Sequence, residues 1–302
     1  LKNQFTRKIY LHKRFDSFIF YGQKYFGAKA KKDVEDMIRK MLKVYEERIK
    51  SNTWLSAETK KKAVVKLKAL VLKIGYPDKI EEIFDLLQVD PEKSLYENEV
   101  AMSTVRTKYM LAKLTKLVDR SVWLMPGNLN NACYDPQRND LTFPAGILQA
   151  PFYDINQSRG ANYGGIGATI GHEVSHAFDN SGAKFDERGN MNNWWTDADF
   201  AEFNKRVGQM VDIFDGLQYG PAKVNGKQVV GENIADLAGL ACAVQTGKDD
   251  GADLKDLFEN YARSWMQKQR PEAIKTEVQT DVHAPQPTRV NIPVQCQNEF
   301  YD

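Results

Sequence analysis

His172 and His176 stand four residues apart with Glu173 beside the first, in the run Gly171-His-Glu-Val-Ser-His-Ala-Phe-Asp179. On a helix the two imidazoles project from one face, one turn apart, so both can meet a single zinc ion while Glu173 sits beside the metal's water. A zinc site of this kind needs a third protein ligand and leaves one position open. The plainer reading is a chance pair of surface histidines. Histidine is scarce elsewhere, with only His12 and His283 outside the motif.

A third ligand is offered by Gly231-Glu-Asn-Ile-Ala-Asp-Leu-Ala-Gly-Leu240. Glu232 and Asp236 are one helical turn apart, while Ile234, Leu237 and Leu240 pack elsewhere, so both carboxylates can point inward together. Glu232 would complete a His172, His176, Glu232 shell around one zinc ion per chain. Asp236 would then accept the second ring N–H of a ligand histidine, with His172 the first candidate, and fix its tautomer. Taken alone, Glu232 is equally an acid favoured by the macrodipole near a helix start after Gly231.

These stretches, together with Thr280-Asp-Val-His-Ala-Pro285, resemble the neprilysin family of zinc endopeptidases, which includes endothelin-converting enzymes and the bacterial oligopeptidases called PepO. The similarity runs from about residue 25 to the end. Asn162-Tyr-Gly-Gly-Ile, Asn193-Trp-Trp-Thr and the ending around Val294-Gln-Cys are most similar to the bacterial branch.

The resemblance implies roles for several further residues. Asn131 and Ala132 match the clamp on the substrate backbone, on a strand edge that can take an extended peptide as an added strand. Ile147, Phe152 and Trp265 match positions lining an apolar pocket for the residue after the cut, although all three suit a hydrophobic core as well. Ala168, Thr169 and Ser264 depart from the animal enzymes at neighbouring positions. His283 matches a donor to the oxyanion, with Asp281 able to orient it. Arg289 matches an arginine that binds substrate carbonyl or carboxylate oxygens. The implied activity is zinc-dependent hydrolysis of peptides on the amino side of hydrophobic residues, with Glu173 as general base.

The elements that must position these groups read as an α+β, mainly helical chain: a thermolysin-like zincin (gluzincin) with a small mixed sheet above the HExxH helix. Residues 1–125 read as a helical scaffold and 126–302 as the catalytic domain. Val34, Met37, Ile38, Met41, Leu42, Tyr45 and Ile49 form a helical stripe. A second helix is expected after Ser56, ending by Gly75 and Pro77, and a third from Leu95 to Leu117. Asn131 to Tyr134, a polar turn and Leu141 to Pro144 read as a hairpin. Amphipathic helices are expected from about Asp197 to Phe214 and from Leu254 to Gln269. Val224-Asn-Gly-Lys227 reads as a second, tight hairpin on an Asn-Gly turn.

Composition narrows the alternatives. With 42 Lys plus Arg against 40 Asp plus Glu, the near-neutral balance gives no case for nucleic acid as a partner. Lys60, Lys61, Lys62, Lys66, Lys68 and Lys73 alternate with apolar residues and read as a solvated helix face; a membrane-surface module would rest on these lysines alone. No run is long and apolar enough to span a bilayer, and Leu1 to Arg14 are too charged for a signal peptide. The chain therefore reads as soluble and, with only Cys133, Cys242 and Cys296, as bacterial in type, with cytoplasm and secretion both open. The family's usual chain is about twice this long, its extra half forming a helical cap. That leaves a second reading: a catalytically incomplete zinc-binding fragment or partner-binding module that needs the missing N-terminal half.

Overall fold

The computed structural model describes residues 14–79 and 81–301. His12 and most of the charged N-terminal run lie outside the described residues. Helix α1 (Gly27–Ser51) turns Ala30, Val34, Met37, Ile38, Met41, Val44 and Tyr45 inward, the i, i+3, i+4 stripe that its sequence predicts. Ser56 caps helix α2 (Ala57–Lys68) by accepting from the Thr59 N–H. This helix stops earlier than expected, at Lys68, because Val71–Gly75 leaves it to form strand β1. Helix α3 (Leu95–Lys113) begins with a capping box between Ser94 and Glu97 and also ends short of the expected Leu117.

Strands β2 (Cys133–Asp135) and β3 (Asp140–Pro144) form the expected hairpin, pairing Cys133 with Thr142 and Asp135 with Asp140. On its other side β3 runs parallel to β1, from Val71 opposite Asp140 to Gly75 opposite Pro144. The small sheet is thus mixed, in the order β1-β3-β2, and the outer edge of β2 has no strand partner among the described residues.

Beneath the sheet lies α4 (Ala168–His176), continuing a π-helical turn over Tyr163–Gly167. Helix α5 (Asp197–Phe214) follows, then a minimal hairpin of β4 (Gln218–Tyr219) and β5 (Ala222–Lys223). The turn expected at Asn225-Gly226 is instead a helix start. Asn225 has a φ of −95°, and its side chain accepts from the N–H groups of Lys227 and Gln228 at the head of α6 (Gly226–Asp249). The type I′ turn would require φ > 0 there, and the helix cap wins. Helix α7 (Leu254–Ser264) also ends earlier than expected, with Trp265 as its C-cap. Helices α8 (Pro271–Thr280) and α9 (Gln286–Gln295) close the chain.

One core joins the α1 face, Leu141 and Phe143 of β3, Ile170 and Val174 of α4, and Leu240 and Ala243 of α6. The lysine reading needs a correction at two positions: Lys66 is 1% exposed and Lys73 4%. Lys73 forms an ion pair with buried Asp140 and donates to the Val122 carbonyl, so neither side chain belongs to a solvated face. No helix among the described residues is long and apolar enough to cross a membrane.

Candidate active site

Two glycines decide how the motif helices meet. A Cβ on Gly171 would lie 2.4 Å from the Gly239 carbonyl oxygen, and one on Gly239 would lie 2.4 Å from the His172 nitrogen. Side chains at either position would push α4 and α6 apart. Their absence lets the backbones cross in contact, with His172 facing Glu232 and Asp236.

The imidazoles are held from behind by carboxylates. His172 Nδ1 lies 2.8 Å from Asp236 Oδ1, His176 Nδ1 lies 2.7 Å from Asp179 Oδ2, and His283 Nδ1 lies 2.7 Å from Asp281 Oδ1. Each carboxylate is an acceptor, so each favours the proton on Nδ1 and, in the neutral ring, leaves Nε2 as a lone-pair donor. All three Nε2 atoms face Glu232 Oε2, at 3.1 Å from His172, 3.4 Å from His176 and 3.1 Å from His283. The Nε2 atoms of His172 and His176 are themselves 3.0 Å apart.

That oxygen is buried and makes no well-directed hydrogen bond. Lone pairs converging on a buried carboxylate need a cation between them, and imidazole with carboxylate is a donor set suited to zinc. The residues present therefore fit a metal ion. The predicted ligands His172, His176 and Glu232 are brought together, and His283 joins them: ligand atoms of His172, Glu232 and His283 lie within 4.8 Å of one another. Sequence reasoning set His283 apart from the ligands, whereas the geometry offers four donors.

The electrostatics follow from this crowding. Burial opposes charge on Glu232, but the close approach of His172, His176 and His283 holds it well below the ordinary carboxylate range. Until a cation takes its Nε2 lone pair, burial likewise opposes the His176 imidazolium, yet Asp179 and Glu232 outweigh it and raise His176 to about 10. Glu173 is 6% exposed, and burial pushes its carboxyl up, countered by the two motif histidines and by a bond from the Tyr134 backbone.

Arg289 lies on α9, 5% exposed, with Nε 2.7 Å from Asp236 Oδ2 and Nη2 2.8 Å from Asp236 Oδ1. Its guanidinium lies 4.1 Å from the Trp265 ring centre. Burial of Asp236 is outweighed by Arg289 and His172, which hold it at about 2. Asp236 thus stays ionised and serves His172 and Arg289 together.

These groups open onto a cleft of about 680 Å³. Asn131 and Ala132 stand on its rim at the start of edge strand β2, and the Asn131 side-chain Oδ1 accepts from the Ala132 N–H at 3.0 Å. Ile147, Phe152 and Trp265 line the same cleft and also pack into the core. Asp179 lay inside the quoted motif without a role. Its spacing of three from His176 is the signal that could have found it.

Comparison with known proteins gives this arrangement a family. Residues 131–302 match peptidase family M13, and residues 18–77 match the same family's N-terminal part. The chain belongs to peptidase family M13. It is 87% identical over 283 residues to a neutral endopeptidase of Lactobacillus helveticus, covering 94% of this chain and 44% of that protein. It is 45% identical over 285 residues to the neutral endopeptidase of Lactococcus lactis subsp. lactis, covering 94% and 45%. Among solved structures, PEPO of Lactobacillus rhamnosis superposes with a TM-score of 0.87 at 47% identity, over 93% of this chain and 45% of that one. The zinc metalloprotease ZMP1 of Mycobacterium tuberculosis, in complex with inhibitor, superposes with a TM-score of 0.81 at 33% identity, over 93% and 45%. The chain therefore spans a little under half the length of these relatives, and its fold is that of the M13 zincin peptidases.

Proposed function

We propose that this chain is the catalytic part of a zinc metalloendopeptidase that hydrolyses peptides on the amino side of hydrophobic residues. The observation that carries the reading is the convergence of three carboxylate-backed imidazoles on one buried, unbonded oxygen of Glu232. Support also comes from relatives named neutral endopeptidase and zinc metalloprotease. Residues 1–125 act in this reading as a scaffold for a catalytic region over 126–302.

His172, His176 and Glu232 would hold the zinc, which when bound supplies Lewis-acid chemistry and lowers the pKa of a water. Glu173 removes the proton from the attacking water and returns it to the leaving amine; its burial, which makes it a better proton acceptor, suits both halves. Glu232 and Asp281 favour the charged form of His283 against the cost of its burial; as an imidazolium it carries a proton on Nε2 as well and donates it in a hydrogen bond to the oxyanion that develops on the scissile carbonyl. Arg289 stacks under Trp265 at the cleft wall and presents its remaining donor face to a substrate oxygen. The free edge of β2, with Asn131 and Ala132, takes the substrate backbone as an added strand. Ile147, Phe152 and Trp265 receive the hydrophobic side chain.

A second reading, a fragment that binds zinc but needs its other half, is favoured by α3. Only Asn98 and Met102 of that helix are buried, while Tyr96, Val100, Met110 and Leu111 are exposed. One assay separates the two: hydrolysis of an internally quenched peptide by the 302-residue chain, with chelator and with zinc restored. Cleavage that is lost to chelator and returns with zinc supports the endopeptidase. Folded, zinc-loaded protein that cuts nothing supports the fragment.

A further inference from the structure

Lys66 carries a buried charge that the proposed reaction does not use. It lies on α2, within the segment matched to the family's N-terminal part, yet its ammonium reaches the end of the metal-binding helix. Nζ donates to the carbonyls of Ala177, Gly182 and Phe185, each at 2.7 Å, which uses all three of its protons. Ala177 caps α4 directly after His176, where helix carbonyls lack partners and a cation is favoured. The rings of Tyr134, Phe178 and Trp194 stand 5.7 to 5.9 Å from the ammonium.

The second carbonyl ties this charge to the metal site. Asp179 Oδ1 accepts from the N–H of Gly182 at 2.6 Å and of Ser181 at 2.7 Å, while Oδ2 holds His176 Nδ1 at 2.7 Å. The Gly182 residue therefore gives its N–H to Asp179 and its carbonyl to Lys66. A Cβ there would lie 1.8 Å from the His176 carbonyl oxygen, so the loop is folded tightly back on α4. We infer that Lys66 is a positioning residue for zinc binding: it clamps the loop from Ala177 to Phe185 against the end of α4, and so fixes Asp179 behind His176. A lysine needed only for packing would leave metal affinity unchanged in a folded variant. A clamp acting through Asp179 must lose its effect when Asp179 can no longer orient the ring.

The inference rests on the zinc reading above, and the test keeps the two apart. Zinc affinity is measured by competition with a chromophoric chelator for the unmodified chain, Lys66→Met, Asp179→Asn and the double variant, each checked for folding by circular dichroism. The expected result is zinc bound about 10-fold more weakly by Lys66→Met, within the range for lost outer partners of metal ligands. The double variant should be no weaker than Asp179→Asn alone, since residues acting through one path are not additive. Lys66→Met binding zinc as tightly as the unmodified chain, or a double variant whose loss is the product of the single losses, overturns the inference. Should Lys66→Met fail to fold, Lys66→Gln, which loses the charge and the reach to all three carbonyls, enters the same cycle under the same criteria. An unmodified chain that binds no zinc contradicts the metal reading itself.

Discussion

Arg289 is fastened to Asp236 by two nearly parallel hydrogen bonds, and the same carboxylate holds His172. Removing the guanidinium leaves a buried carboxylate with one partner. Arg289→Met should therefore destabilise the protein by about 3–5 kcal/mol, the usual cost of breaking a buried pair. Arg289→Lys should recover only part of this, because an ammonium cannot reproduce the paired geometry. Thermal unfolding of the two variants checks the prediction, and a melting temperature unchanged in Arg289→Met would contradict it.

Asp199 offers a pH dependence far from the metal ligands. It accepts from the backbone N–H of Ser56 at 3.0 Å and from the Ser56 hydroxyl, joining the start of α2 to the first turn of α5. Burial opposes its charge, but bonds from Ser56, Thr59 and Thr196 outweigh this and lower it from 3.8 to about 2. A folded value below the unfolded one means stabilisation that is full above about pH 4 and lost as pH falls toward 2. Urea unfolding between pH 5 and 2 should show a shallower acid loss in Asp199→Asn than in the unmodified protein.

The cap at Asn225 is open to a test that separates helix start from hairpin turn. Serine caps a helix well but tolerates positive φ poorly. Asn225→Ser should unfold within a degree or two of the unmodified protein, whereas Asn225→Ala should lose about 1 kcal/mol. Equal losses in both would argue for the turn.

For the proposed pocket, Phe152→Ala should narrow the preference for a large apolar residue after the cut. The ratio of kcat/KM between peptides with phenylalanine and with alanine at that position should fall about 10-fold. An unchanged ratio would return Phe152 to the core reading alone.

Much of this site was legible because its residues lie in short, local patterns. HExxH spacing, the Glu232 and Asp236 turn and the β2–β3 hairpin all depend on near neighbours in sequence. Lys66 was misread because its neighbours Lys60, Lys61 and Lys62 share its type, and only the fold shows that it alone in α2 points at carbonyls more than a hundred residues away. Asn225-Gly226 was misread because asparagine favours both a type I′ turn and a helix cap. The junction of Arg289 with Asp236 spans 53 residues and left no periodic trace in the sequence. Strand β1 went unseen for the same reason, since its partner β3 is the product of a long crossover.

The most direct test of the central claim is zinc content and peptide turnover measured side by side for Glu173→Gln and Glu232→Ala. With Glu173 as the proton carrier and Glu232 as a ligand, Glu173→Gln should keep about one zinc per chain and lose about 10²–10⁴-fold in kcat, while Glu232→Ala should lose the zinc. A Glu173→Gln protein that cleaves peptide at the unmodified rate, or a Glu232→Ala protein that holds zinc as before, would contradict the account.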